Sequence, residues 1–149
     1  MHISTKCSVA IHCLVFIFEY GGKAKVTSEL LSRSTGVNPV TIRNILSALR
    51  KDGILSIKPG SGGAMLQCSP QEISLYRICK VLEPQFLSKL IGVHPSPAEL
   101  CPVGRNIHDV LDLSYQKVQR DLRVSLEQIT LDQIISDYHR LPDQPSTKN

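Results

Sequence analysis

Asn38-Pro39 constrains the fold more than any other pair in this chain. Asparagine is a strong N-cap residue, and proline suits the first helical position because the N–H it lacks would be unpaired there anyway. Behind the pair, Ile42, Ile45, Leu46 and Leu49 recur at helical spacing until Gly53, which predicts a helix over residues 39–52 with one apolar stripe. Gly36-Val37 leaves room only for a tight turn before it. Thr27 caps a short helix over residues 28–35 that carries Leu30 and Leu31 and stops at Gly36. Further upstream, Ser4 or Thr5 caps a helix running to about Tyr20, with Ala10, Ile11, Leu14, Val15, Ile17 and Phe18 as a wide apolar face and Gly21-Gly22 as its end.

After Gly53 the period changes. Residues 54–58 and 64–68 are short extended runs around Pro59-Gly60-Ser61-Gly62-Gly63, the pattern of a hairpin with a glycine-rich tip. Ser74 caps a helix with Leu75, Ile78, Val81 and Leu82 that ends near Pro84. Residues 84–102 hold four prolines and read as an irregular loop. From Val103, the series Ile107, Leu111, Val118, Leu122, Leu126 and Ile129 runs at steps near four, interrupted at Ser114 and Tyr115. That is a long amphipathic helix. Thr130 to Gln133 has capping-box spacing for a short last helix through Ile135, and the polar tail is expected to be disordered.

Three helices followed by a two-stranded hairpin is the order of a winged helix-turn-helix. The expected fold is therefore mainly α with a small β-hairpin wing, plus a long C-terminal helix. The expected division is a winged helix-turn-helix domain over residues 1–83, a loop over 84–102, a long helix and short terminal helix over 103–136, and a tail over 137–149.

Charge divides the same way. Residues 1–69 carry eight Lys/Arg against three Asp/Glu, a balance of +5, and residues 70–149 carry nine against ten, a balance of −1. A basic first half joined to a neutral second half suits a polyanion partner for the first and a protein or ligand partner for the second. With its apolar stripe buried, the helix over 39–52 presents Thr41, Arg43, Asn44, Ser47, Arg50 and Lys51. Asparagine and arginine make the bidentate contacts that read adenine and guanine edges in the major groove, and readers of this kind work from the helix N-terminus. Lys58 at the hairpin edge is placed to track a phosphate or the minor groove. A polar face with two or three cations is usually only solvated. The capped helix, the turn before it, the wing and the +5 half-charge together favour double-stranded DNA. The alternative is a winged helix that binds protein instead.

Other classes fall away on motif grounds. The five histidines match no metal spacing such as HExxH, and no GxSxG or paired-carboxylate motif occurs, so no enzyme is expected. The glycine run lacks the Lys-Ser/Thr of a phosphate-binding loop. The apolar stretch from Cys7 to Phe18 is broken by Ser8 and His12, has no small-x-small cleavage site, and at about twelve residues is too short to cross a bilayer. The five cysteines share no CxxC spacing, and they read as reduced thiols of a cytoplasmic protein with no membrane partner.

The segment from Val37 to Gly53, the wing Gly60-Ser61-Gly62-Gly63, Met1 to Lys6, Ile73-Ser74-Leu75, Cys101-Pro102-Val103-Gly104 and Ile129-Thr130-Leu131 together resemble the Rrf-two (Rrf2) family of bacterial regulators. The resemblance covers roughly residues 1–136 and is strongest to its YwnA-like branch. It implies a homodimeric winged-helix transcription factor, usually a repressor, with the long helix and its Ile107, Leu111, Val118 and Leu122 at the dimer contact. Some members hold an iron–sulfur cluster on three cysteines in the loop before that helix. Here only Cys101 stands in that loop, with Pro95 and Ile107 six residues to either side and Gly104 where a histidine ligand would fall. No cofactor is therefore expected, and Cys101 remains the one candidate redox thiol. The sequence identifies no small-molecule effector.

Overall fold

A computed structural model of the chain describes residues 4–60 and 62–142. The helices are α1 (Thr5–Tyr20), α2 (Ser28–Thr35), α3 (Pro39–Lys51), α4 (Leu75–Leu82), α5 (Pro102–Gln128) and α6 (Leu131–Arg140). The hairpin β1 (Leu55–Lys58) and β2 (Gly63–Leu66) follows α3, and one 3-10 turn covers Pro70–Glu72.

Most helix starts have a side-chain cap. Ser4 Oγ accepts from the Lys6 N–H, Thr27 Oγ1 from Leu30 at 3.2 Å, Asn38 Oδ1 from Val40 at 2.8 Å, Ser74 Oγ from Arg77 at 3.1 Å and Thr130 Oγ1 from Gln133 at 3.3 Å. Each satisfies an N–H that the helix itself leaves unpaired. Gly36 ends α2 with a left-handed φ of 72°, which turns the chain directly into α3.

One core joins these elements. Leu14 and Ile17 of α1, Leu31 of α2, Ile42, Ile45, Leu46 and Leu49 of α3, Ile54 and Leu55 before and in the hairpin, Ile78 of α4 and Leu131 of α6 are all buried in it. Phe18, expected on the apolar face of α1, is 42% exposed, and Phe16 packs against the core in its place. The antiparallel hairpin pairs Leu55 with Leu66 and Lys58 with Gly63. It docks on the segment before α2 through a bridge between Val26 and Gly63, with the Ala64 N–H donating to the Val26 carbonyl at 3.0 Å.

The C-terminal part departs from expectation at both ends. Helix α5 begins at Pro102, which takes the first helical position, so Cys101 is its N-cap residue. Helix α6 runs to Arg140, so residues 137–140, expected in the tail, are helical. They are held by Gln133 to Asp137 at 3.0 Å and by a contact of His139 with Glu19 of α1. Of the rest of the expected tail, 143–149 lie outside the described residues, as do residues 1–3. After α5 the chain returns to the first domain, where Ser74 bridges Thr130, Leu75 N–H donates to Ile129 at 2.8 Å and Leu131 N–H to Ile73 at 2.7 Å. Among the described residues no helix is long and apolar enough to cross a membrane.

Two glycines of the hairpin separate backbone strain from crowding. Gly60 has φ 80° with nothing near a added Cβ, whereas at Gly63, φ 65°, a Cβ would lie 2.7 Å from Val26 N and 2.8 Å from its carbonyl oxygen. Gly60→Ala should destabilise the fold by about 1 kcal/mol from the left-handed φ alone, and Gly63→Ala by about 2 kcal/mol or more. Urea unfolding of both variants checks this, and equal losses would contradict the docked wing.

Candidate nucleic-acid interface

Burial of Ile42, Ile45, Leu46 and Leu49 rotates the rest of α3 outward. Arg43, Asn44, Arg50 and Lys51 are exposed, while Thr41 and Ser47 are partly buried at the margins. The seven residues singled out from sequence do not form one patch. Arg43, Ser47, Arg50 and Lys58 line a cleft of about 390 Å³ between α2, α3 and the wing, together with Lys25, Ser28 and Glu29. Asn44, Ser47 and Lys51 line a broader groove of about 890 Å³ between α3 and α4, with Tyr76, Arg77 and Lys80. Thr41 sits with Asn44 beside Lys6 of α1. Ser47 borders both clefts, so the ridge of α3 stands between two basic margins.

Arg43 is not a free side chain. Its Nη2 donates to Glu29 Oε1 at 3.0 Å and its Nε to Ser28 Oγ at 3.3 Å, both from the first turn of α2. The Ser28 hydroxyl donates in turn to Glu29 Oε2 at 3.2 Å. The Glu29 carboxyl is held below the usual carboxylate range by its own backbone N–H, then by Arg43 and Ser28. On the other margin Arg77 of α4 fixes the end of α3. Its Nε donates to Asp52 Oδ2 at 2.8 Å, its Nη2 to the Asp52 carbonyl at 3.0 Å and its Nη1 to the Glu72 carbonyl at 3.4 Å.

Sequence reading missed Lys25, Ser28, Glu29, Arg77 and Lys80. Glu29 in the first turn of a helix reads as a dipole-complementing acid, and an isolated arginine on an amphipathic helix reads as solvated. Only the crossing of α2 on α3 and of α4 on α3 brings these residues to the face.

The donors for an iron–sulfur cluster are dispersed. Cys101 is exposed at the start of α5, near the loop where His108 Nε2 meets the His94 carbonyl at 2.8 Å. Cys7 and Cys79 are buried together against Phe86, and their shared hydrogen bond, with burial, pushes the Cys7 thiol well above its ordinary value. Cys13 lies in the main core, where burial pushes its thiol up to about 11. Cys68 donates to the Gly53 carbonyl at 3.1 Å. Among the described residues no three Cys, His, Asp or Glu side chains gather as a metal site would require.

With this fold and exposed helix, the family and relatives that the chain matches make it a DNA-binding transcriptional regulator of the winged helix-turn-helix class. Over residues 3–137 the sequence matches the family Rrf2, described as an iron-dependent transcriptional regulator, and the chain belongs to that family. It is 34% identical over 134 residues to YwnA of Bacillus subtilis strain 168, named as an HTH-type transcriptional regulator, covering 90% of this chain and 97% of that one. A transcriptional regulator from Lactobacillus plantarum superimposes with a TM-score of 0.77 at 29% identity, covering 91% of each chain. IscR of T. potens shares the fold, with a TM-score of 0.69 at 19% identity over 97% of this chain and 94% of that one. DNA binding thereby displaces the protein-interaction alternative.

The family description names iron, and among the described residues no cluster of donors matches it. Protein purified and handled without oxygen should be colourless, with less than one iron per subunit by elemental analysis. Visible absorbance with two or more irons per subunit would show that ligands are recruited in a way a single chain does not reveal.

Proposed function

We propose that the protein is a homodimeric repressor that binds an inverted-repeat operator, reading bases with Arg43 and Asn44 and holding phosphates with Arg50, Lys51 and Lys58. The observation that carries this is the outward face of α3, standing proud between two cation-lined clefts. Thr41 and Ser47 complete that face as small side chains that let the helix approach base edges closely. As a regulator acting on DNA it works in the bacterial cytoplasm, and a dimer seated across an operator excludes other proteins from it.

Helix α5 supports the dimer. It has 27 residues, about 40 Å at 1.5 Å per residue, and none of them is buried. Ile107, Leu111 and Leu122, expected at the dimer contact, lie on a flank already half-covered by the same chain, while Val118 is more open. At 100° per residue the neighbouring flank carries Val103, Val110, Leu113 and Val124, which are 69%, 57%, 73% and 51% exposed. An apolar flank of this length on a monomer is a contact surface awaiting a partner. A second α5 related by two-fold symmetry covers it and sets two recognition helices about one turn of DNA apart, roughly 34–36 Å. Cys101, the exposed thiol at the start of α5, is the site where an oxidant would act on this assembly.

Two measurements test the reading. Wild-type protein should sediment as a dimer at micromolar concentration, and Leu113→Asp should be a folded monomer with operator affinity reduced at least tenfold. A monomeric wild type would remove the dimer. On an operator obtained by selection from genomic DNA, Arg43→Ala should lose about 1–3 kcal/mol of discrimination over scrambled duplex. Lys58→Ala should weaken binding to both duplexes alike and flatten the log K against log salt slope by about one. Equal losses on both duplexes for Arg43→Ala would take base reading away from that residue.

A further inference from the structure

Arg43, Ser28 and Glu29 form a closed ring of hydrogen bonds at the tip of the exposed helix. Arg43 Nε donates to Ser28 Oγ, Ser28 Oγ donates to Glu29 Oε2, and Arg43 Nη2 donates to Glu29 Oε1. The ring occupies one edge of the guanidinium, the edge formed by Nε and Nη2. A guanidinium has five N–H donors in a rigid plane, and this ring uses two of them. The Nη1–Nη2 edge keeps one N–H of Nη1 and one of Nη2. That edge has the spacing to donate to O6 and N7 of a guanine together.

We infer that Glu29 is a positioning residue for base recognition, gripping Arg43 by its inner edge so that the outer edge faces one guanine in each half-site. The inference rests on the proposed base reading by Arg43 and assigns a specificity role to a residue of the preceding helix. Ser28 and Glu29 are both in the first turn of α2, whose orientation is set by the Thr27 cap and by Leu31 in the core. The grip is therefore anchored through α2 in the core. An arginine restrained in this way reaches a base without first losing its rotamer freedom on binding, and it prefers the acceptor pair of guanine over the donor-acceptor pair of adenine.

The opposite role for the same contact, in which Glu29 masks Arg43 and is displaced by DNA, is separated from this one by experiment. The two roles have opposite signs. Glu29 is an exposed negative charge beside the expected path of the phosphates, so its removal favours binding to any duplex. If it masks Arg43, its removal strengthens binding to the operator and keeps base preference. If it positions Arg43, its removal relaxes base preference even as general affinity holds or rises.

The test uses full-length protein and the selected operator, with each base pair of one half-site substituted in turn in both half-sites, and affinities read by fluorescence anisotropy. Glu29→Gln keeps the shape of the side chain and removes its charge. It should lower the preference for guanine at a single base pair by about three- to tenfold, with affinity for scrambled duplex unchanged or increased. Arg43→Lys should abolish preference at that same base pair, because an ammonium keeps the charge without the fork. In an Arg43→Ala background Glu29→Gln should cause no further loss there, since its effect passes through Arg43. A Glu29→Gln protein with unchanged preference at every position overturns the inference, as does tighter operator binding with preference retained, or a uniform loss on all duplexes. If Arg43→Ala itself leaves preference unchanged, the base-reading assignment has failed as well, and the two failures are told apart by that variant.

Discussion

The rotation of α3 about its own axis governs the function of this molecule. Ile42, Ile45, Leu46 and Leu49 are buried in one stripe, and truncating such a side chain typically costs about 2–5 kcal/mol. A helix held on four such anchors has no freedom to roll, so the residues between them face outward in a fixed order. The Asn38 cap sets where that helix starts, and the Arg77 clamp on Asp52 sets where it ends. Neither would matter without the stripe, because caps and ion pairs at an exposed surface contribute about 1 kcal/mol or less each. Specificity here is a consequence of apolar packing on the opposite side of the helix.

Local chemistry was readable in advance, and crossings between elements were not. The caps at Ser4, Thr27, Asn38, Ser74 and Thr130, the stop at Gly36 and the hairpin around Gly60 to Gly63 each depend on residues within a few positions of one another. The outward residues of α3 followed from the period of the inward ones. The ring on Arg43 could not be read, because Glu29 and Arg43 are 14 positions apart and meet only where two helices cross. On α5 the apolar residues span a wide arc, and how far each flank stays open is likewise set by neighbours distant in sequence: Ile107, Leu111 and Leu122 are half-buried, whereas Val103, Val110, Leu113 and Val124 are exposed. The end of α6 was set too early because Asp137 and His139 looked like tail, yet they are held by Gln133 and by Glu19 from α1.

Membership of a family described by its dependence on iron sits beside a chain whose cysteines are spread over separate environments. Cys13 is sealed in the main core, Cys7 and Cys79 share a second apolar cluster with Phe86, and Cys68 is engaged by Gly53. The hydrogen bond with Cys79 and burial push the Cys7 thiol up, and burial pushes up that of Cys13; a thiol kept protonated is a poor ligand, since metals bind the thiolate. The winged domain is complete without any of this chemistry. Its architecture depends on the α3 stripe and on the docking of the hairpin at Val26, both remote from the loop before α5.

The return of the chain at residues 129–131 has a mechanical consequence. Two backbone hydrogen bonds, Leu75 to Ile129 and Leu131 to Ile73, fasten the far end of α5 to the winged domain, whereas its beginning is reached through the irregular residues 84–101. The helix is therefore a lever about 40 Å long with its pivot beside α4. Tilting it by a given angle moves the Cys101 end furthest and the pivot least, and the pivot is where α4 holds α3 through Arg77. Any rotation of α5 about this tie would displace its Cys101 end most and the residues beside α4 least.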